Sequence, residues 1–342
     1  MTASRPRLLV LDDYEGRLAC SPGMARLRQM ADVMVLREPL GAGTGAGYDD
    51  VTMLLAVRER TRLDAATLDR FPSLELVLQT GGHAYHLDAE CAARRGVFVA
   101  LGRRGTAARA AVPELTFALA IAALRKIPQA QRAMAAGDWP TLVGRCLSGR
   151  RLGLLGTGRH GTNVARIGAA FGMDVVAWAR PGGRARWSFG DVPRLGLDEL
   201  LATSDVVSIH LRLSDQSRGL LDRERLRSFK PGAVLVNTSR GAIVDEPALI
   251  EALGDGVLGA AGLDVFVDEP LPPGSLLRGL PNVVLTPHIG WTVEEVFDEF
   301  AAIAADQLAD YLAGVLDPAD LLDPSVATFD RARCGGVASS RT

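Results

Sequence analysis

Residues Gly156-Thr157-Gly158-Arg159-His160-Gly161 space three glycines as G-x-G-x-x-G, a spacing that suits a turn wrapped on a pyrophosphate. The first glycine allows the tight turn, the second lets backbone approach the phosphates, and the third lets helix and strand pack closely. The helix that follows offers unpaired N–H groups and the positive end of its dipole. Arg159 and His160 belong to the same turn, so they join Gly156, Gly158 and Gly161 as candidate dinucleotide-binding residues. In a chain with 37 glycines such a spacing also arises in flexible loops, and the flanking sequence decides between the two. Leu152 to Leu155 reads as a buried parallel strand, and Val164, Ile167, Gly168 and Phe171 fall on one helical face. Asp174 to Ala179 reads as a second strand. Strand, turn, helix and strand within about 30 residues give the motif its meaning.

A carboxylate about 20 residues beyond such a turn bonds the ribose 2′-hydroxyl of NAD. Here that position falls on Ala179, and no acid lies between Val175 and Gly190. Arg180 follows, with Arg184 and Arg186 close behind, and arginine suits a 2′-phosphate. NADP(H) is therefore favoured over NAD(H). The alternative is that Arg180 stacks on adenine and NAD(H) is used.

Three further loops carry polar groups beyond apolar runs: Asn237-Thr238-Ser239-Arg240-Gly241, Asp264 to Pro270, and Thr286-Pro287-His288-Ile289-Gly290. In open α/β sheets ligands sit outside the carboxyl ends of the strands, so these loops are expected to converge on the nicotinamide end of the cofactor.

The elements that must position these groups alternate regularly. Leu8 to Leu11, Val33 to Leu36, Met53 to Val57, Leu74 to Leu78 and Val97 to Ala100 read as short strands, with helical segments around Met24 to Met30, Ala65 to Arg70 and Asp88 to Arg94. That pattern predicts a small parallel α/β domain. Thr106 to about Gly137 is helical, broken at Pro128. After the glycine unit come strands at Val206 to Leu211, Ala233 to Asn237, Gly259 to Val265 and Val283 to Thr286. Helices lie at Asp222 to Phe229 and Pro247 to Leu253, the latter with Asp245 as N-cap. A helix from Val293 to about Leu312 is expected to pack through Ala301, Ala305, Leu308 and Leu312. The Gly41 to Gly47 run reads as a surface turn, since no Gly-Lys-Ser/Thr follows it.

The phrases V-N-T-S-R-G-A-I-V-D, G-L-D-V-F-x-x-E-P and T-P-H-I-G, in this order after the glycine turn, resemble the signatures of the D-isomer-specific 2-hydroxyacid dehydrogenases. The likeness covers nearly all of residues 100 to 291. It implies an α/β fold of two doubly wound parallel-sheet domains: a Rossmann cofactor domain over 105–291 and a discontinuous, flavodoxin-like substrate domain over 1–104 plus 292–322. Residues 323–342, rich in Arg, Gly and Ser, read as a disordered tail. The resemblance also implies roles. His288 would be the general acid, Glu269 would hydrogen-bond it and keep the proton available, and Arg240 would clamp the substrate carboxylate and carbonyl. Asp264 would lie near the nicotinamide carboxamide, with His210 and Thr238 as further cofactor-side residues. The implied reaction is hydride transfer between NAD(P) and a small 2-keto or D-2-hydroxy acid, such as glyoxylate, hydroxypyruvate or a phosphoglycerate-like compound. The same scaffold acting on formate or phosphite is the alternative, although formate oxidation would lead one to expect Gln at position 269. A non-catalytic nucleotide-sensing regulator is the other.

One loop departs from the family. Its usual Gly-Val-Gly turn is replaced by Gly81-Gly82-His83, followed by Ala84-Tyr85-His86-Leu87-Asp88. Gly82 and His83 are candidate substrate-binding residues, and His83 and His86 are candidates for specificity or, alternatively, loop-surface groups. His83-x-x-His86 lacks a third ligand, so no metal is expected.

Composition narrows the rest. Apolar residues make up 48% and the formal net charge is −2, which gives no reason to expect nucleic acid or an anionic membrane as partner. Only Lys126 and Lys230 among 38 basic residues are lysine, so a lone arginine is weak as a sign of function here. Four scattered cysteines without C-x-x-C spacing fit reduced thiols. The polar start leading straight into a strand fits a cytoplasmic chain without a signal peptide. The resemblance implies a homodimer, with the helix from Thr106 to Gly137 as the candidate contact.

Overall fold

The computed structural model describes residues 5–41, 47–180 and 192–324. The interior of the Gly41–Gly47 run, Arg184, Arg186 and most of the expected tail lie outside them. The chain divides into two compact units: one draws on Met1–Ala107 and Val293–Thr342, the other on Ala108–Thr292.

The first unit holds β1 (Arg7–Leu11), α1 (Pro22–Met30), β2 (Asp32–Val35), β3 (Met53–Ala56), α2 (Ala65–Leu68), β4 (Leu76–Gln79), α3 (Ala89–Arg94) and β5 (Phe98–Leu101). The strands form a parallel sheet in the order β2-β1-β3-β4-β5, the flavodoxin-like arrangement, whose order reverses at β1/β3. Strands buried on both faces explain the unbroken apolar runs Met53-Leu54-Leu55-Ala56 and Leu76-Val77-Leu78. Leu54 and Val77 pack towards Leu68 and Cys91 on one face. Leu55 and Leu78 meet Phe300 and Ile303 on the other.

The second unit begins with α4 (Ala108–Leu124) and α5 (Ile127–Ala135), followed by β6 (Arg151–Leu155), α6 (Arg159–Ala170), β7 (Asp174–Trp178), α7 (Leu197–Thr203) and β8 (Val206–Ile209). It continues through α8 (Arg223–Arg227), β9 (Ala233–Asn237), α9 (Glu246–Gly254), β10 (Leu258–Leu263) and β11 (Val283–Leu285). Its six parallel strands run β11-β10-β9-β8-β6-β7, with the reversal at β6/β8, under the glycine turn. Alternation along the strands feeds two cores. Leu154, Val206, Val234 and Val236 face α4 and α6, whereas Leu155, Val207 and Leu235 face Leu200, Leu226 and Leu249 of α7, α8 and α9. Asp245 caps α9 as expected, its carboxylate accepting from Ala248 N–H at 3.1 Å.

The chain then returns to the first unit as α10 (Glu294–Leu312). It packs on α1 so closely that a Cβ on Gly23 would collide with the Ala301 backbone.

Three expectations change. The helix break falls at Lys126, which turns left-handed at φ 55°, and Pro128 sits in the first turn of α5, where a missing N–H costs nothing. Leu312 is 49% exposed, so the packing face of α10 keeps Ala301, Ala305 and Leu308 and extends through Val296, Phe297, Phe300 and Ala304 instead of Leu312. Phe171, at the C-cap of α6, is likewise exposed at 43%.

Candidate active site

The glycine turn has the geometry its spacing predicts. Gly156 takes φ 112°, and a Cβ there would collide with the His210 carbonyl. A Cβ on Gly161 would strike the Gly156 carbonyl, so helix and turn touch backbone to backbone. Gly158 faces open space and is the N-cap of α6 with no side-chain cap. The first-turn N–H groups beyond it suit an anion, and the cradle therefore fits a dinucleotide pyrophosphate.

His210, beyond β8, backs this turn. Its Nε2 and Ser208 Oγ share a hydrogen bond of 2.9 Å. Burial, reinforced by nearby His160, pushes its pKa down to about 3. The ring is neutral near pH 7, and its backbone rather than its charge serves the turn. Farther along, Arg180 Nη1 donates to Ser214 Oγ at 3.0 Å and Gln216 Oε1 at 3.1 Å, both from the segment after β8.

Three later loops meet within this unit. Asn237, buried at the end of β9, shapes the first: its Nδ2 donates to Arg240 O at 3.0 Å and its Oδ1 accepts from Ser239 N–H at 3.0 Å. Ser239 Oγ donates to Ile209 O at 2.6 Å, tying the loop to β8. Gly241 then presses on the Phe266 backbone so tightly that a Cβ would overlap it. Phe266 N–H donates to Glu269 Oε1 at 2.9 Å, and Glu269 Oε2 accepts from His288 Nδ1 at 2.6 Å. A continuous chain of contacts thus runs from the Arg240 loop to the imidazole.

The His288–Glu269 pair stays reachable, with side chains 27% and 34% exposed. Burial works to raise the Glu269 pKa. The His288 hydrogen bond and charge, the Phe266 N–H and the Arg240 charge outweigh it and hold the carboxyl below its ordinary range. Glu269 is therefore ionised near neutrality, His288 Nδ1 carries a proton towards it, and Nε2 is left for chemistry. His288 itself occupies left-handed backbone at φ 56°.

Asp264 holds that loop in place. Its Oδ1 accepts from Thr286 Oγ1 at 2.6 Å and Ile289 N–H at 2.8 Å, and its Oδ2 from Gly290 N–H at 2.8 Å. Burial raises its pKa and these three donors oppose the rise. Thr238 Oγ1 lies 3.1 Å from Thr116 Oγ1 of α4. Arg240, Glu269, His288, Asp264 and Thr238 are thus brought to one end of this sheet. Gly82 and His83 follow β4 of the other unit, where His83 Nδ1 lies 2.7 Å from Glu59 Oε1. Thr116 is a supporting residue that the sequence reading passed over, and Asn237 and Thr286, which it placed in the polar loops, were given no such role. Only the Asn-x-Ser turn chemistry at Asn237 offered a local signal.

Residues 117–290 match the family described as "D-isomer specific 2-hydroxyacid dehydrogenase, NAD binding domain". The chain belongs to this family. It is 38% identical over 266 residues to a glyoxylate reductase of Aeropyrum pernix, covering 75% of this chain and 79% of that one. Among solved structures it is similar to a phosphoglycerate oxidoreductase from Vibrio cholerae o395, with TM-score 0.83, 31% identity, and 90% and 99% of the two chains covered. It is also similar to an NADPH-dependent glyoxylate/hydroxypyruvate reductase from Sinorhizobium meliloti in complex with NADP and malonate. That likeness has TM-score 0.74 and 28% identity, and covers 91% and 94% of the two chains. As a D-2-hydroxyacid dehydrogenase the chain is an oxidoreductase acting on CH–OH groups, moving hydride between a nicotinamide cofactor and a small 2-keto or 2-hydroxy acid.

Among the described residues no group of three or more His, Cys, Asp or Glu side chains is gathered as for a metal. No helix among them is long and apolar enough to cross a membrane.

Proposed function

We propose that this dehydrogenase reduces small 2-keto acids of the glyoxylate, hydroxypyruvate or phosphoglycerate type, using NADP(H) in preference to NAD(H). The observation that carries the reading is the 2.6 Å His288–Glu269 pair, linked through Phe266 and Gly241 to the Arg240 loop. A bound nicotinamide supplies the hydride. His288 Nε2 gives a proton to the developing alkoxide, or takes one in the reverse direction. Glu269 orients the ring and stabilises its charged form, and Arg240 grips the substrate carboxylate with its planar fork. Gly156, Gly158, Arg159, His160 and Gly161 cradle the pyrophosphate, while Thr238, His210 and Asp264 build the cofactor side. Gly82 and His83 contribute to substrate binding. In this reading Ala108–Thr292 is the cofactor domain and the remaining unit the substrate domain.

The cofactor preference rests on Ala179 standing where an acid would bond a ribose 2′-hydroxyl and on Arg180 directly after it, anchored on Ser214 and Gln216. A homodimer formed through α5 and the segment after it is supported by exposed apolar side chains. Trp139 is 85% and Val143 86% exposed, and α5 has no buried residue. The working compartment is proposed to be the cytoplasm.

The test is an absorbance screen at the nicotinamide band, with both cofactors against a panel of 2-keto acids. NADPH oxidation faster than NADH oxidation is expected with at least one of them. No turnover with any member would overturn the substrate assignment, and faster NADH oxidation the cofactor preference. A His288→Asn variant tightens the test, because asparagine tolerates the left-handed backbone at this position. It should bind cofactor and lose about 10²–10⁴ in turnover.

A further inference from the structure

The sheet of the substrate unit ends in a polar cluster that the chemistry above leaves largely unused. β1, β3 and β4 lie side by side, and each is followed by left-handed backbone: Asp12 at φ 63°, Arg58 at φ 59° and Gly81 at φ 88°. Two of these are not glycine, and such strain concentrates where structure is held for function. The cluster also sits at the topological switch of this sheet, where α/β folds bind ligands.

Asp12 is only 1% exposed. Its Oδ1 accepts from Tyr14 O–H at 2.7 Å and Thr61 O–H at 2.9 Å. Its Oδ2 is enclosed yet has no hydrogen-bond donor among the described residues. His86 belongs to the same cluster, and both of its enclosed ring nitrogens lack a partner among those residues. Burial lowers the His86 pKa, and the opposing pull of Glu59 and Asp12 does not restore it. The ring is therefore neutral, with one donor and one acceptor nitrogen. A buried carboxylate oxygen and a buried imidazole left unpaired are both costly. A hydroxyl group supplies a partner for Asp12 Oδ2 and for one ring nitrogen, since its O–H donates to the carboxylate while its oxygen accepts from the imidazole N–H.

The charge balance argues against a phosphate at this place. The carboxylates Asp12, Glu15 and Glu59 lie among the guanidiniums that would have to receive it. Arg60 forks onto Glu15 at 2.5 and 2.7 Å and donates to Asp12 O at 2.8 Å. Arg58 Nε lies 3.5 Å from Glu59. His83 pairs with Glu59 and stacks on Tyr85 with ring centroids 4.6 Å apart. Arg103, whose stem borders Gly82, turns its guanidinium to Ala319 O. A dianion entering here would meet an unpaired carboxylate oxygen, an Arg60 already forked onto Glu15 and an Arg103 turned to a backbone carbonyl.

We propose that the β1–β3–β4 end is a subsite for the substrate's tail, with Asp12 and His86 reading a hydroxyl beyond the keto carbon. The preferred substrate class is then an unphosphorylated, hydroxylated 2-keto acid, ahead of its deoxy analogue and its phosphate ester. This rests on the reading above that Gly82 and His83, in the same cluster, touch substrate.

The test is binding rather than turnover. D-glycerate, D-lactate and 3-phospho-D-glycerate are titrated by calorimetry into the full chain with NADP⁺ present. D-glycerate should bind at least about tenfold more tightly than either of the others, since a site built for a hydroxyl rejects ligands lacking it. His86→Leu should reduce D-glycerate to the D-lactate level, and His86→Gln, which keeps a donor and an acceptor, should recover part of the difference. Equal affinities for D-glycerate and D-lactate, tightest binding of the phosphate ester, or an unchanged preference in His86→Leu would overturn the proposal. Should His86→Leu fail to fold, the three affinities of the unaltered protein decide. If those affinities follow the expected order but no 2-keto acid is reduced, the reductase reading falls and the subsite stands.

Discussion

In the proposed reaction His288 depends on one neighbour, and that dependence can be measured. Glu269, held below its ordinary carboxylate range, accepts from His288 Nδ1 at 2.6 Å and so fixes the ring. Glu269→Gln should therefore lower kcat for 2-keto-acid reduction about tenfold or more while cofactor affinity stays as it was. Unchanged turnover would show that the carboxylate does not position the imidazole. Because the Glu269 pKa is depressed on folding, its stabilising effect is complete above the ordinary carboxylate range and disappears as pH falls through the lower folded value. At this scale the meeting of the loops that carry Arg240, Glu269 and His288 was legible because the phrases around them are distinctive. Asn237 and Thr116 were not, because their importance lies in partners, Arg240 O and Thr238 Oγ1, that only the folded chain supplies.

Loops carry these side chains, yet backbone crowding fixes where the loops lie. Gly241 has no space for a methyl group against Phe266, and Phe266 N–H holds Glu269. Gly241→Ala should therefore lower stability by about 1–3 kcal/mol, read as a lower denaturation midpoint. It should also cut kcat/KM about tenfold or more, as the residues flanking Phe266 shift. Loss of stability with full activity would mean the contact serves folding alone. Strands and long helices were readable at this scale because both sheets bury both faces and give unbroken apolar runs. The short α7 escaped because its buried content is the adjacent pair Leu200 and Leu201, too brief to display a period. The burial of Leu312 was misjudged for the opposite reason: the apolar spacing continues to this last residue of α10 after the packing surface has ended.

For the whole molecule, association is the property most open to test. If the exposed Trp139 and Val143 seal a dimer, the double substitution Trp139→Glu, Val143→Glu should yield monomers by sedimentation with the thermal midpoint of the individual chain little changed. A dimer that survives the change would move the interface elsewhere. The two units also differ in how the gene encodes them. The dinucleotide-cradling unit is one unbroken stretch, while its counterpart takes strands from the first third of the sequence and α10 from the last part. During translation the early strands emerge first but lack α10, whose Ala301 backbone closes on Gly23, until the chain has been made through Leu312. The later-begun unit can thus reach its native form before the earlier-begun one, and the unit that opens the chain is completed only once a nucleotide cradle already exists.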